Sequence, residues 1–305
     1  MTIGKVVVTT IKVFAAGVVY ALCFAIGAAL SGLGKAAQQV TPSPTTLQTS
    51  HPLSLLLICS FSVGVVLAYL ILRSSWHGWL LTGAIFAGMY GISTVAPQVE
   101  TLFFLSNKLP RGIIRAIFLQ GAITAALFSP VAVFLLGKWQ TPSPTRTIGS
   151  LDRLNTASVA RRLAVIVVAF VFLYMFFGYY VAWQDPAVRQ YYGGPEQPSF
   201  FAALKANWIY NPWIYPLQIF RALLYAACMY PLSRMLRVAR WERAFAMVLF
   251  LSVWTTILLL PNPLIPRDVA FAHFRETLGF SIVFGAIAGW LLSNAPNPVA
   301  GVTAS

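Results

Sequence analysis

Runs of about 20 mostly apolar residues recur along nearly the whole chain, the length a helix needs at 1.5 Å per residue to cross hydrocarbon. They fall near residues 11–33, 53–72, 78–104, 112–136, 163–183, 213–233, 244–260 and 273–293. Such a pattern leaves few folds open. Inside lipid every backbone N–H and C=O must be satisfied within its own segment, so these runs form helices. The expected fold class is all-α. It is a polytopic helical membrane bundle of about eight transmembrane helices, with residues 1–305 forming one integral membrane domain.

Composition supports this reading. Only 9% of residues are charged and the mean hydropathy is +0.75, whereas soluble domains carry roughly 25% charged residues. A soluble enzyme and a disordered chain are both excluded. The three cysteines, Cys23, Cys59 and Cys228, lie in apolar runs. They are too few for a disulfide scaffold and read as packing residues. The first run follows Lys5 and contains Lys12 near its start. It is too long for a cleaved signal core and reads as a retained span.

Orientation follows from the basic residues. With the N-terminus in the cytoplasm, 12 of the 21 Lys and Arg residues fall on the inner side and 6 on the outer. The other three, Arg115, Arg221 and Arg275, lie within or at the end of a span. This bias places both termini in the cytoplasm. Trp76, Trp79, Trp139, Trp241 and Trp290 mark inner span ends, and Trp183, Trp208 and Trp213 mark outer ones, as an interfacial aromatic belt requires. The expected location is the plasma membrane, a bacterial inner membrane, with the lipid bilayer as first partner. The net charge of +14 then reads as basic loops against an anionic leaflet. No nucleic-acid motif accompanies it, so no nucleic acid is expected as a partner.

The connectors 34–52 and 138–161 each contain Thr-Pro-Ser-Pro-Thr, at 41–45 and 141–145, and read as extended linkers. The outer loop 185–212 pairs a turn signal at Tyr191-Tyr192-Gly193-Gly194 with Phe200, Phe201, Leu204 and Trp208 at helical spacing. That segment is either an anchor lying on the outer leaflet or a lid over the bundle.

Polar groups inside spans carry the functional information, because a central charge costs about 2.5–3.5 kcal/mol to insert. In the third span Pro97 breaks the helical ladder just before Gln98 and Glu100. Gly83, Ala87 and Gly91 recur every four residues there and predict close approach of a second helix. In the sixth span Gln218, Arg221 and Tyr225 share one face. Arg221 lies roughly 12 Å deep, which requires an internal partner. In the eighth span His273, Thr277, Ser281, Gly285 and Gly289 form one small, polar stripe, and Glu276 sits one turn from His273. The candidate binding set is therefore Gln98, Glu100, Arg115, Gln218, Arg221, Tyr225, His273 and Glu276, gathered in the outer half of the bundle. An ion-pair network that only fixes packing would look the same in sequence.

His273 and Glu276 alone supply too few ligands for a metal. His51 and His77 fall on opposite sides, which excludes a haem pair. Gly-x-Ser-x-Gly and phosphate-binding glycine loops are absent from the sequence. No cofactor or metal is expected. Three function classes remain. The first is a small transporter or permease whose outward-facing polar cavity takes a small molecule or ion. The second is an enzyme acting on a lipid at the outer leaflet, with His273 and Glu276 as acid and base and Arg115 and Arg221 holding phosphate. The third is a non-catalytic subunit or sensor that binds partner helices through its Gly/Ala seams.

Overall fold

The computed structural model describes residues 3–37, 52–106, 109–140, 156–194, 197–260 and 265–293. Both Thr-Pro-Ser-Pro-Thr motifs lie outside the described residues, while the ends of their connectors, expected to be extended, are helical at 34–37 and from Thr156. Every regular element among those residues is helical. The long helices are α1 (Ile3–Ser31), α3 (Pro52–Arg73), α4 (Gly78–Tyr90), α6 (Ile113–Leu135), α7 (Thr156–Phe177), α10 (Ile214–Met235), α11 (Arg240–Thr255) and α12 (Arg267–Leu291). The short ones are α2 (Leu33–Ala37), α5 (Ala96–Leu105), α8 (Pro186–Tyr192) and α9 (Phe200–Tyr210). A π-helical turn, Gly91–Val95, joins α4 to α5, and a second, Gly178–Ala182, ends α7.

Six segments are long and apolar enough to cross a membrane: Gly4–Ser31, Leu53–Arg73, Gly78–Leu105, Ile113–Leu135, Ala157–Ala182 and Arg240–Leu259. The sequence pattern predicted about eight. The remaining two, α10 and α12, have the length but carry too many polar side chains to meet that standard. They contain Gln218, Arg221, His273 and Glu276.

The bundle is apolar outside as well as inside. Phe128, Phe170, Phe250 and Phe284 are fully buried, while Phe134, Val168 and Leu53 on the outer surface are 70%, 68% and 67% exposed. Water would penalise so much exposed hydrocarbon, and lipid does not.

Small residues set which helices touch. A Cβ placed on Gly64 of α3 would lie 2.5 Å from the Cα and N of Gly17 in α1, so those two backbones are in contact. On α12, Cβ atoms at Gly285 and Gly289 would lie 2.9 Å and 2.8 Å from the Cα atoms of Val248 and Ala244 in α11. That is the close seam expected of a small-xxx-small pattern. The stripe predicted on α4 is displaced. Gly83 and Ala87 are exposed, and a Cβ on Gly83 would meet nothing within 4 Å. The contact face runs instead through Gly88 against Leu232 and Gly91 against Cys228. Period-four spacing alone does not say which of a helix's faces is covered.

One end of the bundle is tied together by basic side chains. Arg162 donates to the carbonyls of Leu291 and Ser293 at 3.1 and 2.9 Å, and Arg240 donates to Trp290 O at 3.1 Å while stacking on its ring. Arg243 reaches Leu236 O at 3.0 Å beyond α10, and Lys138 reaches Ser74 O at 2.8 Å beyond α3. Arg73 pairs with Glu242 at 2.9 Å. The last carbonyls of a helix have no intrahelical donor, and cations there interact favourably with the negative end of the helix dipole. These residues were expected to face a leaflet, and several of them cap helix ends instead. Backbone bonds add to the tie, from Ser75 N–H to Met235 O at 2.7 Å and from Gly78 N–H to Lys138 O at 2.9 Å. Gly78 adopts φ +54° there, a left-handed conformation open to glycine. Arg162→Ala is expected to lower unfolding stability in detergent by about 1.5–3 kcal/mol, the range for hydrogen bonds to a charged group. Arg161→Ala, at an exposed neighbour, should leave the melting curve unchanged.

At the opposite end the segment 185–212 divides in two. Asp185 caps α8 by accepting from Ala187 N–H. Val188 is buried against Val269 and Ala272 of α12. By contrast, α9 buries no residue and leaves Phe201, Trp208 and Tyr210 exposed.

Candidate functional site

The centre of the site is Arg221 on α10, whose side chain is 7% exposed. Gln218 lies one turn earlier on the same face, and its Oε1 accepts from Arg221 Nη1 at 2.7 Å. The same Nη1 pairs with Glu100 Oε2 of α5 at 2.6 Å. Arg221 Nε donates to the carbonyl of Ala96 at 3.1 Å. Tyr174 of α7 donates its hydroxyl to Glu100 Oε1 at 2.6 Å. The rings of Phe170 and Tyr174 stand 5.8 and 5.7 Å from the guanidinium carbon, within cation–π range.

Local backbone structure puts Glu100 there. In the π turn the Ala96 N–H bonds Gly91 O, five residues back, and Pro97 follows with no N–H to give. A π turn offsets the ladder by one residue, and such turns are common at functional positions. The second π turn has the same form, with Trp183 N–H bonding Gly178 O. Gly178 faces the site, and a Cβ there would lie 3.5 Å from Glu276 Oε1.

A second group adjoins the first. His273 Nδ1 lies 2.7 Å from Glu276 Oε2, and its Nε2 lies 3.2 Å from the hydroxyl of Tyr192 on α8. Burial holds the Tyr192 phenol well above its ordinary value, so it stays a neutral hydroxyl. Glu276 acts electrostatically on Arg221, and Glu100 acts on His273, so the two groups form one cluster. It holds two carboxylates against one guanidinium. An imidazole 2.7 Å from Glu276 is placed to carry a further proton on Nδ1. Nδ1–H then faces the carboxylate, and the Tyr192 hydroxyl can accept or donate at Nε2.

Of the residues expected at the site, Glu100, Gln218, Arg221, His273 and Glu276 come together. Tyr225, one turn beyond Arg221, lies within its electrostatic reach and packs on Phe170 at 5.2 Å. Gln98 is half-buried, and its amide oxygen has no donor among the described residues. Arg115 stands apart. It is exposed near the start of α6 and makes no ion pair with the described residues. Sequence reading missed Tyr174 and Tyr192. A tyrosine deep in the apolar run of α7 was the available signal, since its hydroxyl needs a partner when buried. Tyr192 was masked by its place in a turn signal.

Arg221 and Gln218 are buried in the cluster, while the Glu100 side chain is 28% exposed and that of His273 22%. A surface depression of about 420 Å³, lined by Pro186, Arg189, Gln190, Gly193 and Gly194, lies outside it. Another of about 250 Å³ lies between α1 and Phe61.

Fold and site together define an all-helical integral membrane protein with a buried, ion-paired cluster among its helices. Set against known proteins, the chain matches no family model, no curated protein and no solved structure.

Proposed function

We propose that the protein is a small-solute permease whose solute binds at the Arg221 cluster. All eight long helices cross the bilayer in this reading, with the arginine-tied end and both termini in the cytoplasm. The carrying observation is the buried Arg221–Glu100 pair at 2.6 Å, set directly after a helix broken by a π turn and Pro97. Charges of both signs inside membrane helices mark transport pathways by default, and discontinuous helices commonly form the binding sites of carriers. Arg221 and Gln218 are buried with Glu100 seated on the guanidinium, so entry requires α5 to move at its existing break.

Purified protein in vesicles, offered neutral, cationic and anionic labelled solutes in turn, should show saturable flux for at least one class. Arg221→Leu should abolish it. Absence of saturable flux for every solute would remove the reading. One observation favours a second reading, a lipid-modifying enzyme: the Glu276–His273–Tyr192 chain orients an imidazole as acid–base catalysis requires. Conversion of vesicle lipid that His273→Ala abolishes would establish that alternative. The isolation of Arg115 takes away one of the two phosphate-binding arginines it was expected to use.

A further inference from the structure

We propose that the solute is a small monovalent oxyanion of the carboxylate class, carried together with one proton, and that its carboxylate takes the place Glu100 holds on Arg221. This rests on the permease reading and names its substrate.

The donor set is the first reason. Arg221 has no lone pair, so the Gln218 oxygen must be the atom facing it. That fixes the amide, leaving Gln218 Nε2 buried with no acceptor among the described residues, on a residue 0% exposed. A buried donor without an acceptor is costly. An oxyanion at this place would receive N–H groups from both Arg221 and Gln218. The guanidinium fork also matches a planar carboxylate.

The second reason is that a carboxylate already occupies part of that set. Glu100 is the less buried partner, 28% against 7% for Arg221. Among the described residues its other hydrogen-bond partner is Tyr174, and it lies just past the broken stretch of helix. It can withdraw without unwinding α10.

Charge balance supplies the proton. One guanidinium neutralises one carboxylate, and two would leave uncompensated charge in a low-dielectric interior. Glu100 therefore leaves Arg221 as the neutral acid. The resting pair of guanidinium and glutamate becomes guanidinium, glutamic acid and bound anion, with the same net charge. The groups facing Glu100 are Arg221 and Gln218 from α10 and Tyr174 from α7. Within electrostatic reach lie Tyr225 from α10, His273 from α12 and Tyr192 from α8, and Glu276 of α12 acts on the same Arg221. One anion and one proton cross together, and no net charge moves. Divalent anions would leave excess charge at Arg221 and are excluded.

The test uses the full chain in phosphatidylcholine vesicles with a trapped pH dye and gradients of glycolate or gluconate. Uptake should acidify the lumen by one proton per anion. It should rise as the external pH falls and ignore a clamped membrane potential. Glu100→Gln should still exchange labelled glycolate but neither acidify the lumen nor respond to pH. Arg221→Gln should lose about tenfold or more of both signals, as expected for a charge-assisted bond. Glu100→Asp, which keeps a carboxylate, should remain coupled and serves if the glutamine variant does not fold. Flux of glycerol or choline with none of either oxyanion would overturn the substrate assignment while leaving a permease. Flux of nothing would overturn the permease reading itself. Acidification that survives in Glu100→Gln would overturn the proton's role. Phosphatidylglycerol retained by the purified chain and not displaced by gluconate would assign the donors to a lipid phosphodiester and overturn the proposal.

Discussion

Glu100→Ala should cost on the order of 3 kcal/mol of unfolding stability in detergent, among the largest losses available to a single side chain outside the core. The reason lies in what remains. Arg221 would keep Gln218 and the Ala96 carbonyl but lose its ionic partner while staying buried. Tyr174 would lose the acceptor for its hydroxyl. Removing both charges removes the cause, so Glu100→Ala combined with Arg221→Leu should recover most of the loss. Replacing a buried ion pair by apolar groups is often neutral or better. Thermal unfolding of the two single variants and the double variant closes the cycle. A Glu100→Ala melt equal to wild type would show that the pair contributes nothing to the fold.

A single methyl group should have a comparable effect at one glycine and almost none at another. Gly64→Ala places its Cβ 2.5 Å from the backbone of Gly17. Backbone cannot rotate away as a side chain can, so α1 and α3 must part. The expected loss is about 1–3 kcal/mol, the usual cost of overpacking. Gly83→Ala adds the same methyl group where nothing lies within 4 Å. It should be neutral or slightly stabilising, since alanine favours a helix over glycine by about 1 kcal/mol. Equal melting temperatures for the two variants would contradict the packing of α1 on α3.

The contrast between Gly64 and Gly83 also shows how far the sequence could be read. The apolar runs fell on every long helix, but only six of the eight are apolar enough to cross a membrane. Hydropathy did not locate helix ends. Helix α1 begins at Ile3 rather than near 11, α7 at Thr156 rather than 163, and α12 at Arg267 rather than 273. Helices continue into the interface, where polar residues are tolerated, so the apolar run is shorter than the helix. Which glycines touch a neighbour depends on how each helix is rotated, and spacing does not encode rotation.

The site follows the same division. A deep arginine must find a carboxylate, and the chain has only seven acidic residues, so Arg221 could be grouped with Glu100 and Glu276 but not paired with either. His273 and Glu276 are one turn apart on one helix and meet locally. Arg115 looked equivalent in sequence but lies near a helix start, where it is exposed and needs no internal partner. Tyr174 signalled its need for a partner by lying deep in an apolar run, but which carboxylate it meets, and that Tyr192 meets His273, are set by the placement of α7 and α8 against α5 and α12.

The arginine-tied end gives the bundle the mechanics of a pair of tongs. Guanidinium groups rivet the tails of α10 and α12 to neighbouring segments, and in the other half the Asp185–Arg275 pair at 3.1 Å, the Tyr192–His273 contact at 3.2 Å and the Arg221–Glu100 pair at 2.6 Å make the cross-links. Any splaying of the helices that pivots about the riveted end must first part the contacts of Glu100 with Arg221 and of His273 with Tyr192.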